Sequence, residues 1–333
     1  MKDKGKIWLS SPHMGGNELH YIHEAFEHNW IAPVGQNIGG FENDLEKYLG
    51  AESMVSVFSS GTAALHLALM ILKVERGDDV FCQTMTFSAS ANPITYVGAN
   101  PVFIDSEKDT WNMCPESLKK AFIKRAAEGK LPKAVIVVHL YGMPAKMEQL
   151  MAICEEYDVP LIEDAAEALG SSYKGQKCGT FGKMAILSFN GNKIITTSSG
   201  GALISKCSKQ KRRAIHLSTQ ARDHAPHYEH SEIGYNYRLS NISAGIGRGQ
   251  MEVLDDRVKA RRANHQFYVD LFKNTDGIKV FTEPNEDYFS NHWLSAITID
   301  SSVTGFDRED LRLSLEDDNI ECRPLWKPMH MQP

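Results

Sequence analysis

The sequence has no long apolar run. Across its 333 residues nothing approaches the roughly 20 consecutive apolar positions that span a bilayer. The opening MKDKGKIWLSS also lacks the apolar core of a signal peptide. A membrane partner is therefore not expected, and the cytoplasm is the expected location. Positive charge is not in excess either: 36 Lys and Arg face 42 Asp and Glu, for a net charge of −6. That balance argues against a nucleic-acid partner, although local Arg and Lys can still serve a small anion. The six cysteines (Cys82, Cys114, Cys154, Cys178, Cys207 and Cys322) form no CxxC pair, so neither a zinc ribbon nor a disulfide framework is indicated. No GxGxxG follows the first strand-like run, which disfavours a dinucleotide-binding dehydrogenase. Internal repeats and low-complexity segments are absent as well.

Short apolar runs alternating with amphipathic ones are present instead. Residues 54–58, 80–83, 101–105, 134–139 and 159–164 read as strands, and AALHLALMIL after Ser59-Ser60-Gly61-Thr62 reads as a helix. Nearly continuous apolar strands separated by helices predict an α/β fold whose mostly parallel sheet is covered on both faces. Ligands of such sheets bind outside the carboxyl ends of the strands. After residue 248 the texture changes to one long charged helix, MEVLDDRVKARRANHQFYVDLF, then a strand over 293–299 and a helix REDLRLSLEDD. We therefore expect a large domain over 1–248 and a smaller C-terminal α/β domain over 249–333, the latter incomplete because no closing element precedes Pro333.

Three features at the predicted strand ends carry chemistry. Ser59-Ser60-Gly61-Thr62 joins a strand directly to a helix, whose free N–H groups suit a phosphate. Ordinary Ser or Thr capping would use the same residues. Asp164 closes the strand in LIEDAAEALG and could hold a protonated ring nitrogen, or simply cap a following helix. Glu163 should face the other way. Lys193 lies 29 residues beyond Asp164 in SFNGNKIITTSSGG, with no acid beside it in the sequence. An amine without a carboxylate partner is freer to act as a nucleophile, whereas the bland reading is a solvated loop lysine.

Each signal alone is weak, but pyridoxal 5′-phosphate requires all three together: a lysine amine, an acid at the pyridine nitrogen and a phosphate cradle. Phe87 in TMTFSASANPI could stack on the ring. His224, His227 and His230 recur every third residue, but in a Pro-containing loop without cysteine, so no metal site is expected there.

The segments SSGTAALHLAL, TFSASANPI, VVHLYG, IEDAAEALG, SFNGNK, GYNYRLSN and RPLWKPMH occur in order over nearly the whole chain. With them the sequence resembles the DegT/StrS-type sugar aminotransferases of the fold-type-I pyridoxal-phosphate class. It is most similar to the branch that aminates UDP-linked 4-keto-6-deoxy-N-acetylhexosamines, as in bacillosamine synthesis. The resemblance implies a seven-stranded sheet, Lys193 as the lysine bonded to the cofactor, Asp164 at the pyridine nitrogen and Phe87 on the ring. It places Gly61, Thr62 and Ser188 at the phosphate. Glu167 falls near the ring's phenolic oxygen, where many relatives carry Gln, so a carboxylate there must be protonated or bond through a donor. Asn236 would reach the cofactor phosphate of a neighbouring subunit in a homodimer with shared sites. Arg238, Lys327 and His330 are weaker candidates for the nucleotide sugar, with L-glutamate as amino donor. Ser199 departs from the glycine usual in relatives, which implies a reshaped loop. A dehydratase relative would carry histidine in place of Lys193, and a regulatory homologue would not need Lys193, Asp164 and Ser188 together.

Overall fold

The computed structural model describes residues 5–50 and 52–333. Its centre is a seven-stranded sheet built from β1 (Met54–Phe58), β2 (Asp79–Gln83), β3 (Asn100–Ile104), β4 (Ala134–Val138) and β5 (Leu161–Asp164). A small hairpin, β6 (Ser172–Tyr173) and β7 (Gln176–Lys177), precedes the last two members, β8 (Met184–Ser188) and β9 (Gly201–Ser205). The strand order is β1-β9-β8-β5-β4-β2-β3. β9 pairs antiparallel with both β1 and β8, and every other pairing in the sheet is parallel, so the sheet is mostly parallel as expected.

Two-residue alternation along these strands feeds two cores. Val80, Cys82, Ile136, Ile162 and Ile186 pack on one face, under α3 (Gly61–Ile71), α4 (Asn92–Tyr96) and α7 (Ser208–Ser218). On the other face Val55, Val57, Leu187 and Ile204 meet Phe41 and Leu45 of α2 (Gln36–Leu49) and Ala244 of α8 (Asn241–Met251), with α1 (Glu18–Glu27) packed on α8. Phe81, Val135 and Val137 meet Leu118 and Phe122 of α5 (Pro115–Ala127) and Leu150 of α6 (Met147–Glu156). Because the two faces are covered, the binding opportunity lies at the strand ends. The carboxyl ends of β1, β2, β5 and β8 open at one edge, and antiparallel β9 begins there.

The long helix expected at 251–272 is present but starts three residues later, and its first expected residue, Met251, closes a separate helix instead. Val253 leaves helical geometry (φ −116°, ψ 9°), so α8 ends at Met251 and α9 runs Leu254–Phe272. A division after residue 248 would cut through α8. Beyond α9, β10 (Ile278–Val280) pairs antiparallel with β12 (Ile297–Ile299), followed by α10 (Ser301–Thr304) and α11 (Arg308–Asp317). Asp307 caps α11 in a reciprocal capping box with Asp310. β11 (Tyr288–Phe289) instead joins β6 of the hairpin. The strand expected over 293–299 shrinks to β12, because Trp293 is drawn into the interior at 2% exposure. At the other end of the chain, Ile7 bridges Ile320, so the N-terminal segment lies on the C-terminal region. Among the described residues no helix is long and apolar enough to cross a membrane.

Candidate active site

At the carboxyl edge of the sheet lies a cavity of about 500 Å³. One end of it is the junction of β1 and α3. Ser60 is the N-cap of α3, its Oγ accepting from Ala63 N at 3.0 Å, so the capping reading holds and the helix start faces the cavity as well. Gly61 is there because space is short: a Cβ on it would lie 3.2 Å from Leu187 O and from Ser188 Cβ. Thr62 and Ser188 line the same cavity. Ser199 lies across from them and donates from Oγ to Ser59 O at 2.7 Å. The left-handed backbone of that loop falls at Ser198 (φ 69°) rather than at Ser199, so the expected reshaping is a hydrogen-bonded tie and not a strained glycine position.

Asp164 ends β5 with its carboxylate 6% exposed. Oδ2 accepts from Ser90 Oγ at 2.6 Å, and Ser90 Oγ lies 2.7 Å from Thr86 Oγ1. Oδ1 accepts from Ala166 N at 3.2 Å. No helix follows, since residues 165–170 form turns, so the alternative of a helix cap falls away. Glu163 faces the opposite side, bonded to His139 Nε2 at 2.9 Å and to the amides of Gly179, Phe181 and Gly182.

Lys193 projects between these ends, and here one expectation is corrected. Its sequence neighbours include no acid, yet Nζ lies 3.4 Å from Glu167 Oε1. The turn after β5 supplies a partner 26 residues away in the chain. Burial pushes the Glu167 carboxyl above the usual carboxylate range and the Asp164 charge adds to this, while Lys193 and a bond from Tyr141 N pull it down. That bond measures 2.6 Å, and it comes from a tyrosine held at φ 55°. Nζ also sits 4.2 Å from the centre of the Trp293 ring. Asn192, the residue before the lysine, has its carbonyl oxygen held twice, by Trp293 Nε1 and by Ser10 Oγ, each at 2.6 Å.

The model of the DegT/DnrJ/EryC1/StrS aminotransferase family matches residues 12–333. The chain belongs to that family. Among its relatives is EpsN of Bacillus subtilis (strain 168), 52% identical over 98% of this chain and 83% of EpsN; its description as a pyridoxal phosphate-dependent aminotransferase is itself provisional. GDP-perosamine synthase of Escherichia coli O157:H7 is 37% identical over 98% of this chain and 86% of its own. Among solved structures, the aminotransferase TlmJ from Streptoalloteichus hindustanus superimposes with a TM-score of 0.87 at 29% identity, covering 98% of this chain and 87% of TlmJ. The chain is thus an aminotransferase of the fold-type-I class, with pyridoxal 5′-phosphate as its cofactor.

The side chains present fit that cofactor. A lysine amine, a buried acid oriented by Ser90 and a helix start freed of any Cβ line one cavity, as do Glu167 and Phe87. Phe87 is 54% exposed and lies beside Trp326, ring centres 5.4 Å apart.

The remaining sequence candidates lie elsewhere. Arg238 Nη1 donates to Glu42 Oε1 at 2.6 Å and to Val57 O at 3.0 Å, and the residue does not line its own chain's cavity. Lys327 and His330 are exposed and do not line the cavity, and His330 Nδ1 lies 2.7 Å from Thr84 Oγ1. Asn236 is exposed and absent from its own chain's cavity. Sequence reasoning missed Ser10, Ser90, Trp293 and Trp326. Only the two tryptophans carried a signal, as large aromatics amid polar neighbours in SNHWLS and RPLWKPMH.

His224, His227 and His230 are exposed. Among the described residues the ligand atoms of His265, Glu283 and His292 do converge. However, the two imidazoles stack in parallel, centres 3.5 Å apart and planes at 6°. In-plane lone pairs on stacked rings run in parallel planes and do not meet at one ion. The cluster is held by the Arg262–Glu283 ion pair, Nη1 2.6 Å from Oε1, with His292 Nε2 3.0 Å from Glu283 Oε2.

Proposed function

We propose that the chain moves an amino group from L-glutamate to C4 of a nucleotide-linked 4-keto-6-deoxy sugar. UDP-4-keto-6-deoxy-N-acetylglucosamine is the first candidate, for surface glycan synthesis in the cytoplasm. The observation that carries this reading is Lys193 Nζ standing in one cavity with Asp164 and Glu167. The names of two relatives, an aminotransferase and a perosamine synthase, support an amino sugar as product.

In this reading pyridoxal phosphate supplies an electrophilic carbonyl and an electron-accepting ring. The chain supplies the rest. Asp164, fixed by Ser90, keeps a proton on the ring nitrogen by a charge-assisted bond. The start of α3 with Ser188 holds the phosphate. Lys193 holds the cofactor between turnovers and then, once free, moves a proton at Nζ in each half of a ping-pong cycle. Nζ would be a neutral amine when freed, and Glu167 would steady the ammonium it becomes while it carries that proton. A homodimer is part of this reading, with Asn236 contributed to the site of the other subunit.

A panel of 4-keto sugar nucleotides assayed with L-glutamate tests the substrate, with amine formed at C4 of the UDP-linked N-acetyl sugar as the expected result. Lys193→Ala should lose the visible band of the covalently bound cofactor and turnover together. A variant that kept both would end the lysine assignment.

A further inference from the structure

Behind Lys193 lies a second cavity of about 310 Å³. It shares Leu9, Ser10 and Lys193 with the first as common walls. Arg257 and Arg261, four residues apart and hence on one face of α9, also line it, with Ser11 and His13. Among the described residues no acidic side chain lines it, although the chain as a whole is acidic.

The two arginines lack the carboxylate partner that other partly buried arginines of this fold have. Arg238, Arg248 and Arg262 are each paired with a carboxylate. Among the described residues neither Arg257 nor Arg261 has one within 4.0 Å. Arg257 Nε is buried without a hydrogen-bond partner, and Nη2 reaches the Met14 carbonyl at 3.2 Å. Arg261 Nη2 donates to Ser10 Oγ at 2.8 Å, and burial pulls its guanidinium down from the usual value. Partly buried guanidinium groups left unpaired are costly, and the forked donor set matches phosphate and carboxylate oxygens.

We propose that Arg257 and Arg261 form an oxyanion subsite that holds the phosphate or carboxylate end of a reactant while its reacting atom lies at Lys193. The proposal rests on the lysine assignment above for its reacting end, but not for anion binding itself. Two reactants carry the chemistry: the diphosphate of the nucleotide sugar and the carboxylates of the amino donor. Ser10 adds a link, because it accepts from Arg261 and donates to the Asn192 carbonyl. The subsite wall therefore also supports the lysine backbone.

The test uses the cofactor-loaded enzyme carrying Arg257→Gln or Arg261→Gln, with the visible cofactor band as the check on folding. KM for one reactant should rise about tenfold to a hundredfold in either variant, the size expected for losing a hydrogen bond to a charged group. The kcat should be little changed in Arg257→Gln and lowered in Arg261→Gln, whose Ser10 link also steadies Asn192. A rise for the nucleotide sugar identifies the diphosphate, and a rise for L-glutamate identifies a carboxylate. Arg261→Lys should lose part of that effect, since a point charge replaces the fork. Should the glutamine variants lose the cofactor band, wild-type enzyme decides: UDP or 2-oxoglutarate should protect Arg257 and Arg261 from phenylglyoxal, read by peptide mass spectrometry. Lys193→Ala should still bind the protecting anion, which separates failure of the lysine assignment from failure of the subsite. Unchanged KM for both reactants, or phenylglyoxal modification of both arginines despite saturating UDP and 2-oxoglutarate, would overturn the proposal.

Discussion

Lys193 Nζ and Glu167 Oε1 stand 3.4 Å apart in the interior of the cavity, where Glu167 is 4% exposed. If Lys193 is the lysine bonded to the cofactor, its pull on the carboxyl weakens, and burial with the Asp164 charge then acts mainly against the bond from Tyr141 N. Glu167→Gln should therefore keep turnover within about threefold, because an amide retains acceptor capacity for Tyr141 N. The stability difference has a definite sign. A buried carboxyl with a raised pKa contributes stability that is present at low pH and lost as pH rises through its folded value. Melting temperatures of the loaded enzyme should thus favour the variant increasingly from acid to neutral pH. A difference independent of pH would show that Glu167 does not titrate in this environment.

Trp293 is expected to matter through its N–H as well as its ring. Trp293→Phe keeps an aromatic face near Nζ but removes one of the two bonds to Asn192 O. A neutral hydrogen bond contributes about 1 kcal/mol, so kcat should fall roughly five- to tenfold, with KM for both reactants steady. Trp293→Leu also removes the ring from the ammonium and should fall further. Steady-state rates of the two variants separate the contributions, and equal rates for both would assign everything to the N–H.

Acid lability should trace to the stacked histidines. Burial and the neighbouring His292 hold His265 down at about 4. A depressed histidine contributes stability that is complete above its unfolded value, near 6.5, and is lost as pH falls toward 4. His265→Phe keeps a flat ring against His292 and cannot be charged. Its melting temperature should decline less than wild type between those limits, and parallel curves would exclude His265 as the source.

Gly201→Ala tests the phosphate end. A Cβ there would lie 2.2 Å from Gly61 N, a backbone atom that cannot swing aside. Overpacking of this kind costs about 1–3 kcal/mol. Cofactor affinity should fall with stability, because the start of α3 is what moves. Equilibrium dialysis of pyridoxal phosphate checks this, and unaltered affinity would separate Gly201 from the cradle.

The sheet was legible in the sequence because its strands are buried on both faces and read as unbroken apolar runs. The place of Asp164, Gly61 and Lys193 at the cavity was legible because Asp164 ends β5, Gly61 opens α3 just after β1, and Lys193 follows the end of β8 by five residues. Partnerships made across the chain were hidden. Glu167 reaches Lys193 through a turn, and Ser10 and Trp293 reach Asn192 from residues 182 and 101 positions away. Helix periodicity ran straight through Glu252 and Val253 because both residues tolerate either state, so the break before α9 left no mark. Arg238 looked available in GYNYRLSN because its partner, Glu42, lies 196 residues earlier.

The one antiparallel strand of the sheet has a consequence for how far the reactive amine can travel. The segment from Phe189 to Gly200 leaves on β8 and returns on β9, and those strands are hydrogen-bonded to each other from Ser188–Gly201 onward. Lys193 therefore rides on a closed loop whose two feet stand side by side, with the loop's own Phe189 N bonded to Gly200 O at 2.8 Å. Such a loop cannot lean one way without dragging both strands. In the proposed cycle, that tether favours movement of Nζ on the four methylenes of its own side chain over movement of the loop backbone.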